Sequence, residues 1–307
     1  MKKVIITTFS DKNYFHLLKD LLASIKRFPQ SKSIALGILD GGLDDEQREY
    51  IKNEANFLEI AKWDIEVNQL KVRGRDYLKN HVCRAYLPNY FPNFEKYIWL
   101  DCDTWVNDWK AIDYLIKGCE NGKLAAVQTI APGYRDVGNV RWLFKSFARV
   151  KTQNFKHAIS SGFSYEIAHK IAFAPNINAG VFSLEKDSNF WKIWRGYLLQ
   201  AIKKGRVFSS EQLAMNIAVY YNNEPVEFLP PTCNWILDHL LPYFDENKNC
   251  FVEPFLPNNT IGIMHLASKI KGDQSKMKNF DQTYFEIKTT HNTKIKKNIR
   301  FSTIEKK

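Results

Sequence analysis

The sequence predicts an α/β protein in which helices cover a mainly parallel β-sheet. Short apolar runs alternate with helical patterns through the first half of the chain, which is typical of repeated strand-helix units. One of these runs, residues 97–100, is apolar throughout, as expected for a strand buried on both faces. A chain of 307 residues with 45% hydrophobic residues can bury a large core, so its length fits one large domain.

Hydrophobic periodicity predicts the elements of the first half. Residues 2–9 and 33–40 are apolar runs that indicate strands. Between them, five apolar residues recur at the spacing of one helix face: Leu17, Leu18, Leu21, Leu22 and Ile25. The next predicted elements are a helix at 44–55, a strand at 57–65, a helix at 75–91 and a strand at 96–101. Ligands of such sheets bind beyond the carboxyl ends of the strands.

The second half is less regular. The elements predicted there are strands at 124–130, 176–186 and 260–267, helices at 189–204 and 209–221, and a loop at 227–236. Residues 131–176 fit neither pattern well, so we interpret them as an insertion. Within it, residues 141–151 interleave basic and aromatic side chains and predict an amphipathic helix.

Positive charge is concentrated at the end of the chain. The formal net charge is +11, and residues 266–307 hold 11 basic and 4 acidic side chains, which places 7 of the 11 net charges there. We therefore predict a domain at 1–275 and a basic tail at 276–307. The tail alternates cations with Ile and Phe and is interpreted either as a peripheral contact for an anionic membrane or as a solvated segment. No nucleic-acid-binding motif accompanies the charge.

The sequence predicts a cytoplasmic protein, and a peripheral position on the inner face of the cytoplasmic membrane is a further interpretation. The apolar run after Met1 stops at Thr7, which argues against a signal peptide, and no run approaches the length of a membrane span. Five cysteines without a CxxC pair fit a reducing compartment without structural zinc.

Two carboxylates end the most strongly apolar strand. Asp101 and Asp103 follow residues 97–100, where an unpaired carboxylate would cost several kcal/mol. Asp-x-Asp at a strand end can share one divalent cation, and hard oxygen ligands suit Mg²⁺ or Mn²⁺. The alternative is a turn or capping role, since Asp108 shows that this turn is rich in aspartate.

Five segments in this order resemble glycosyltransferase family 8, retaining enzymes of the GT-A fold that use nucleotide sugars. The family includes lipopolysaccharide galactosyl- and glucosyltransferases and glycogenin. The segments are ITTFSDKNY (6–14), CRAYLPNYFPNFEKYIWLDCD (83–103), NINAGVFSL (176–184), SSEQLAMN (209–216) and HLASKIKGD (265–273). The resemblance implies a GT-A nucleotide-diphospho-sugar transferase domain over about residues 3–275, followed by the basic C-terminal extension.

The resemblance also implies a role for each matching residue. Those implied to bind the donor are Thr8, Asp11 and Asn13 for the base and ribose, Arg84 for the sugar or its phosphates, Asn178 and Ala179 for the sugar, Lys271 for the diphosphate, and Cys102. The implied ligands of Mn²⁺, or of Mg²⁺, are Asp101, Asp103 and His265. Three departures stand out: Glu211 replaces the family's aspartate, Ser268 replaces a glycine, and the Pro-Trp after the lysine is missing. Lys269 is the alternative to Lys271.

The implied reaction is metal-dependent, retaining transfer of a hexose from a UDP-sugar to a hydroxyl of a glycan or glycolipid, such as a lipopolysaccharide core. Glu211 and Gln212 are the catalytic candidates, beneath an oxocarbenium-like centre. Retention could proceed on one face or through a covalent intermediate on Glu211. The alternatives are an inverting transferase with Glu211 as general base, and an inactive sugar-nucleotide-binding protein. We expect the acceptor site at residues 131–176 and around Asn234 and Trp235.

Overall fold

The computed structural model describes residues 2–130, 138–267 and 278–301. Sixteen strands lie within these residues: Val4–Ser10 (β1), Ala35–Asp40 (β2), Phe57–Ile60 (β3), Lys96–Leu100 (β4), Thr104–Val106 (β5), Leu124–Gln128 (β6), Gly138–Phe144 (β7), Phe147–Thr152 (β8), Ile177–Glu185 (β9), Val226–Leu229 (β10), Trp235–Ile236 (β11), Tyr243–Asp245 (β12), Cys250–Val252 (β13), Ile263–His265 (β14), Tyr284–Lys288 (β15) and Lys294–Asn298 (β16). Ten α-helices lie within the same residues: Phe15–Lys26 (α1), Asp45–Glu54 (α2), Gln69–Val72 (α3), Asn80–Cys83 (α4), Leu87–Tyr90 (α5), Lys110–Gly118 (α6), Gln153–Ser160 (α7), Tyr165–Ile171 (α8), Phe190–Lys204 (α9) and Ser210–Tyr220 (α10).

A seven-stranded sheet forms the centre of the molecule, in the order β10-β6-β9-β4-β1-β2-β3. All its neighbouring strands are parallel except β9, which runs antiparallel to both β4 and β6. The predicted α/β class with a mainly parallel sheet is therefore confirmed. The carboxyl ends of β1 and β4 lie side by side at one edge of the sheet, where ligands of parallel sheets bind.

The helices cover the sheet through apolar faces. All five of the apolar residues that predicted α1 are buried on it. Helix α2 begins with a capping box, in which the Asp44 side chain accepts from the backbone of Gln47 and the Gln47 side chain accepts from the backbone of Asp44. None of the helices in the described ranges is long and apolar enough to cross a membrane.

A small three-stranded sheet, β11-β14-β5, lies beside the central one. The predicted strand at 260–267 forms β14 there, antiparallel to β5, and does not join the central sheet. Residues 227–236 are not a simple loop, because β10 forms an edge of the central sheet through parallel pairing with β6. The predicted helix at 75–91 is broken into short α and 3₁₀ turns, with a proline at its last turn.

Part of the insertion differs from its prediction. Residues 141–151 belong to the hairpin β7–β8 and are not a helix, and they are followed by α7 and α8. This stretch combines aromatic and β-branched residues with the two-residue link Lys145–Ser146, a composition that favours paired strands over a helix. Residues 131–137 lie outside the described part of the chain.

Much of the predicted tail is folded onto the rest of the protein. Strands β15 and β16 form a hairpin, and Ile287, Ile299 and Phe301 are buried in one cluster with Trp105 of β5. The Trp105 indole N–H donates to the carbonyl of Ile299 at 2.8 Å. Arg300 reaches Asp20 on α1, with 2.6 Å between Nε and Oδ2.

Candidate functional site

Asp101, Asp103 and His265 come together at the carboxyl end of β4. A tight turn links β4 to β5, closed by the backbone N–H of Thr104 donating to the Asp101 carbonyl at 2.9 Å. Strand β14 pairs with β5 so that His265 stands opposite Thr104, beside Asp103. Each of the three residues contributes one ligand atom to a group in which all the atoms lie within 4.8 Å of one another. The Nε2 atom of His265 is 3.5 Å from Oδ1 of Asp103.

Hydrogen bonds fix the orientation of Asp101. Its Oδ1 accepts from the indole N–H of Trp99 at 2.8 Å and lies 3.1 Å from Nη2 of Arg84. Trp99 stands two residues earlier on the same face of the strand, so its indole can reach this carboxylate. Both donors approach Oδ1. The other oxygen, Oδ2, lies close to Gly180 and His265.

An amide chain fixes the tautomer of His265. The backbone N–H of Gly180 donates to Oδ1 of Asn178 at 2.9 Å, so this oxygen is an acceptor. Asn234 therefore turns its Nδ2 toward Asn178, at 3.0 Å, and its Oδ1 toward Nδ1 of His265, at 2.8 Å. Because Nδ1 must donate to an oxygen, the neutral imidazole carries its lone pair on Nε2, facing Asp103. Two carboxylates and one imidazole lone pair form a donor set that fits Mn²⁺ or Mg²⁺.

Gly180 fits closely against this group. A Cβ atom at position 180 would lie 2.7 Å from Asp101 Oδ2, from His265 Cε1 and from Asn178 Oδ1. Any larger side chain would therefore displace a proposed metal ligand or the amide that orients one. Steric crowding therefore explains why a glycine occupies the third position of the Asn-Ala-Gly segment, which the sequence alone did not explain.

Arg84 lies beneath the group and is only 2% exposed. Its Nη1 donates to the Ala179 carbonyl at 2.7 Å, and its Nε donates to the Asn80 carbonyl at 3.0 Å. The guanidinium stacks over the Trp99 ring at 4.7 Å. Arg84 thus joins α4, β4 and β9 around Asp101.

Glu211 and Gln212 begin α10 next to this arginine. Glu211 is 3% exposed, and its Oε1 lies 2.9 Å from Nδ1 of His81 and 3.8 Å from Nη1 of Arg84. Burial raises the pKa of the Glu211 carboxyl, but His81 and Arg84 more than offset this and leave the pKa below its ordinary value. Gln212 lies with its Oε1 3.3 Å from the backbone N–H of Ala179 and 3.5 Å from Nδ2 of Asn178.

The comparison with protein families identifies the chain. The model of glycosyl transferase family 8 matches residues 5–238, well over half of the sequence. The chain belongs to glycosyl transferase family 8. Comparison with curated proteins finds no match.

Solved structures of glycosyltransferases share the fold of this family 8 chain. The bifunctional glycosyltransferase WbbM, in its apo form, gives a TM-score of 0.55 at 16% identity over 87% of this chain, which spans 46% of WbbM. The galactosyltransferase LgtC, in complex with donor and acceptor sugar analogues, gives 0.50 at 15% identity over 86% of this chain and 87% of LgtC. The fold is thus GT-A, as predicted, and family membership makes the chain a hexosyl-transferring glycosyltransferase.

The first strand of the transferase places its three predicted residues at the same edge of the sheet. Thr8 is buried, and its hydroxyl has no hydrogen-bond partner in the part of the chain that the structure describes. Asp11 accepts the backbone N–H of Asn13 at 2.8 Å and of Tyr14 at 3.1 Å, so one of its oxygens closes the turn before α1. The Asn13 side chain is exposed.

The remaining predicted residues differ in how they are placed. Cys102 is half-buried and packs against the core beside β4. Lys271, and its alternative Lys269, lie outside the described residues. Trp235 is fully buried, and its indole N–H donates to the Leu240 carbonyl at 2.9 Å, so its ring is not open to an acceptor, although an acceptor site was predicted around it.

Sequence reasoning missed two residues that organise this site in the transferase. His81 contacts Glu211, and Asn216 exchanges hydrogen bonds with the backbone of Ile177 while donating to the carbonyl of Gln212. Asn216 ties the start of β9 to α10. The sequence did carry a signal for Asn216, since an asparagine four residues after Gln212 interrupts an apolar run in the predicted helix. In the structure this asparagine is fully buried.

Proposed function

We propose that the protein is a metal-dependent, retaining transferase that moves a hexose from a UDP-sugar to a hydroxyl of a glycan or glycolipid. The observation that carries this proposal is the group formed by Asp101, Asp103 and His265, set beside Arg84 at the carboxyl edge of the sheet. A cluster of two buried or half-buried carboxylates and an oriented imidazole is costly to assemble unless a cation completes it.

The proposed metal ligands are Asp101, Asp103 and His265. A Mn²⁺ or Mg²⁺ ion bound there would act as a Lewis acid for the diphosphate that leaves the donor. Asn234 and Asn178 hold the His265 ring, and Trp99 and Arg84 hold Asp101. The network therefore keeps two of the three proposed ligands, His265 and Asp101, in place before the donor arrives, which limits reorganisation during the reaction.

Donor recognition is proposed for the ends of β1, β4 and β9. We assign Thr8, Asp11 and Asn13 to the base and ribose, Cys102 to the nucleotide beside the metal, and Asn178 and Ala179 to the sugar. For Arg84 we propose an indirect role, because its donors already bind Asp101, Ala179 and Asn80. Lys271 remains a prediction for the diphosphate.

The environment of Glu211 favours retention over inversion. A general base in an inverting reaction must take a proton from the acceptor hydroxyl, and a carboxylate whose pKa is held low is poorly suited to that task. An ionised carboxylate near the sugar ring instead suits stabilisation of an oxocarbenium-like centre. We propose this role for Glu211, with Gln212 placing the Asn178–Ala179 backbone. Same-face and covalent routes both agree with this arrangement.

Calorimetry of UDP binding tests the donor and metal assignment. We expect UDP to bind in the presence of Mn²⁺, and binding to be lost on chelation and in Asp103→Ala. The control is Asp113→Ala, an exposed aspartate on α6 that should bind UDP as the wild type does. Failure of the wild type to bind UDP with either metal would overturn the donor assignment. If UDP binds, NMR of the first product's anomeric configuration separates retention from inversion.

A further inference from the structure

Glu211 is a buried carboxylate, and the basic side chain nearest to it is neither a metal ligand nor a residue that the family resemblance named. We propose that His81 is a positioning residue that holds Glu211 as an oriented carboxylate through their contact at 2.9 Å. This proposal rests on the proposed function, in which Glu211 acts beside the donor sugar. It concerns His81 alone and assigns no new chemical step.

Arg84 alone compensates the charge of Glu211 only in part. Arg84 is shared between two carboxylates and lies closer to Asp101, at 3.1 Å, than to Glu211, at 3.8 Å. Its Nη1 also donates to the Ala179 carbonyl. One guanidinium therefore compensates Asp101 well and Glu211 only partly. A buried carboxylate needs a partner, and the His81 imidazole, whose Nδ1 lies 2.9 Å from Oε1, lowers the pKa of the Glu211 carboxyl together with Arg84.

Packing, and not a hydrogen bond, holds the His81 ring in place. Its Nδ1 has no hydrogen-bond partner among the described residues and meets Glu211 as a close contact between a base and a carboxylate. Its side chain is only 13% exposed, and it sits on α4, one turn before Arg84. The ring meets Phe208 edge-on at 4.9 Å between centroids. Phe208 precedes Ser209, whose backbone is left-handed with φ of 60°, so the turn into α10 presents this ring toward His81. A fixed imidazole can fix the carboxylate that it contacts.

Other ionisable groups do not replace His81. The charged or titratable side chains on the packed elements are Cys83, Arg84 and Tyr86 from the same segment, Asp76, Tyr77 and Lys79 from the preceding turn, Lys156 and His157 from α7, Arg206 before α10 and Tyr220 at the end of α10. Burial and the Arg206 guanidinium lower the pKa of His157 to about 4, so this imidazole is neutral near pH 7. Burial raises the pKa of the Cys83 thiol. Asp76 and Lys79 pair with each other at 3.1 Å.

The two oxygens of Glu211 are therefore unequal. His81 and Arg84 both approach Oε1, whereas Oε2 has no hydrogen-bond partner among the residues that the structure describes. Holding Oε1 fixes the direction of Oε2. Loss of His81 would release the carboxylate and also favour its protonated form, because a side chain that lowers the pKa of Glu211 is gone.

The test compares His81→Gln, which keeps a polar donor but removes the basic imidazole, with His81→Lys, which places a cation at the same position. UDP and Mn²⁺ binding is measured first, followed by the pH dependence of kcat for transfer from the UDP-sugar. In His81→Gln we expect near wild-type UDP binding and a lower kcat, with the acidic limb of the profile displaced upward by about one pH unit. His81→Lys should return the limb toward its wild-type position. The control is His291→Gln, an exposed histidine in the turn between β15 and β16.

A double-mutant cycle with Glu211→Gln makes the result specific to this pair. In the Glu211→Gln background, His81→Gln should no longer move the limb. The same four proteins are also compared by urea unfolding, which does not depend on activity. The effects of the two substitutions on the unfolding equilibrium constant should deviate from additivity by about tenfold. Additive effects, or an unmoved limb with UDP binding intact, would overturn the proposal. Absence of UDP binding in the wild type would instead count against the proposed function, and the unfolding cycle would still decide the His81 pairing.

Discussion

At the scale of single residues, the amide of Asn178 sets the chemistry of a histidine on another sheet. Its oxygen accepts from Gly180 and from Asn234, which leaves the Asn234 oxygen for Nδ1 of His265. The metal-binding capacity of His265 is therefore a property of three side chains. Loss of a hydrogen-bonding partner of this kind typically lowers metal affinity by about 10- to 100-fold.

Replacing Asn234 tests this dependence. We expect Asn234→Ala to weaken Mn²⁺ binding in the presence of UDP by about 10- to 100-fold, because the His265 ring loses the acceptor that fixes its tautomer. Titration calorimetry measures the affinity, and thermal melting checks that the variant is folded. The matched control is Asn53→Ala, an exposed amide on α2. Wild-type Mn²⁺ affinity in a folded Asn234→Ala protein would contradict the orienting role.

Contacts between distant residues also mark the limit of sequence reasoning at the site. Motif order alone brought Asp101, Asp103 and His265 into one hypothesis, and the structure places them together. The pairing of His81 with Glu211 joins residues 130 positions apart in the chain and carries no local pattern. It depends on how α4 packs against α10, which is decided by tertiary packing.

At the scale of elements, patterns with one dominant period were predicted well. The apolar face of α1 follows from a period of 3.6, and β4 follows from the unbroken apolar run at residues 97–100. Residues 141–151 were predicted wrongly, because spaced cations and aromatics fit an amphipathic helix as well as a hairpin. Edge strand β10 was missed because it is short and is followed by two prolines, which resemble a loop.

The hairpin β15–β16 is attached to the domain by a buried ion pair, and this predicts a stability effect. Arg300 and Asp20 have side chains 6% and 16% exposed. Burial raises the pKa of Asp20, and Arg300 opposes that rise. Arg300→Gln should lower the free energy of unfolding by about 3 kcal/mol, since it leaves a buried carboxylate without its cation. Urea unfolding at neutral pH measures the loss.

Acidification provides an internal check on the same variant. Without Arg300 the folded-state pKa of Asp20 rises further above its unfolded value, and a raised carboxyl pKa favours the folded state as pH falls. The deficit of Arg300→Gln relative to wild type should therefore shrink at lower pH. Lys294→Gln, which breaks an exposed pair with Glu286 in the same hairpin, should change stability little at any pH. Equal losses in the two variants would contradict the buried pair as the attachment.

At the scale of the whole molecule, the concentration of positive charge in residues 266–307 bears on whether the protein contacts a membrane that carries its acceptor. The described tail buries Ile287, Ile299 and Phe301 in the core beside Trp105, so these apolar side chains are not available to insert into a bilayer. Lysines face outward from the same hairpin: Lys288, Lys294 and Lys296 are exposed. Any contact with an anionic membrane would thus be electrostatic, and such contacts weaken steeply with salt.

Vesicle sedimentation tests this peripheral contact. We propose that the protein binds vesicles containing anionic lipid at low salt, that high salt releases it, and that vesicles of neutral lipid do not bind it. Substituting Gln for all three exposed lysines should weaken binding by about 1 kcal/mol per charge, because each lysine lies within reach of the anionic surface. The control replaces three exposed lysines on other elements, Lys52, Lys117 and Lys192. Equal weakening of vesicle binding by the two triple variants would show that the net charge of the protein, and not the hairpin, drives binding. Binding that is absent or insensitive to salt would contradict an electrostatic membrane contact through the tail.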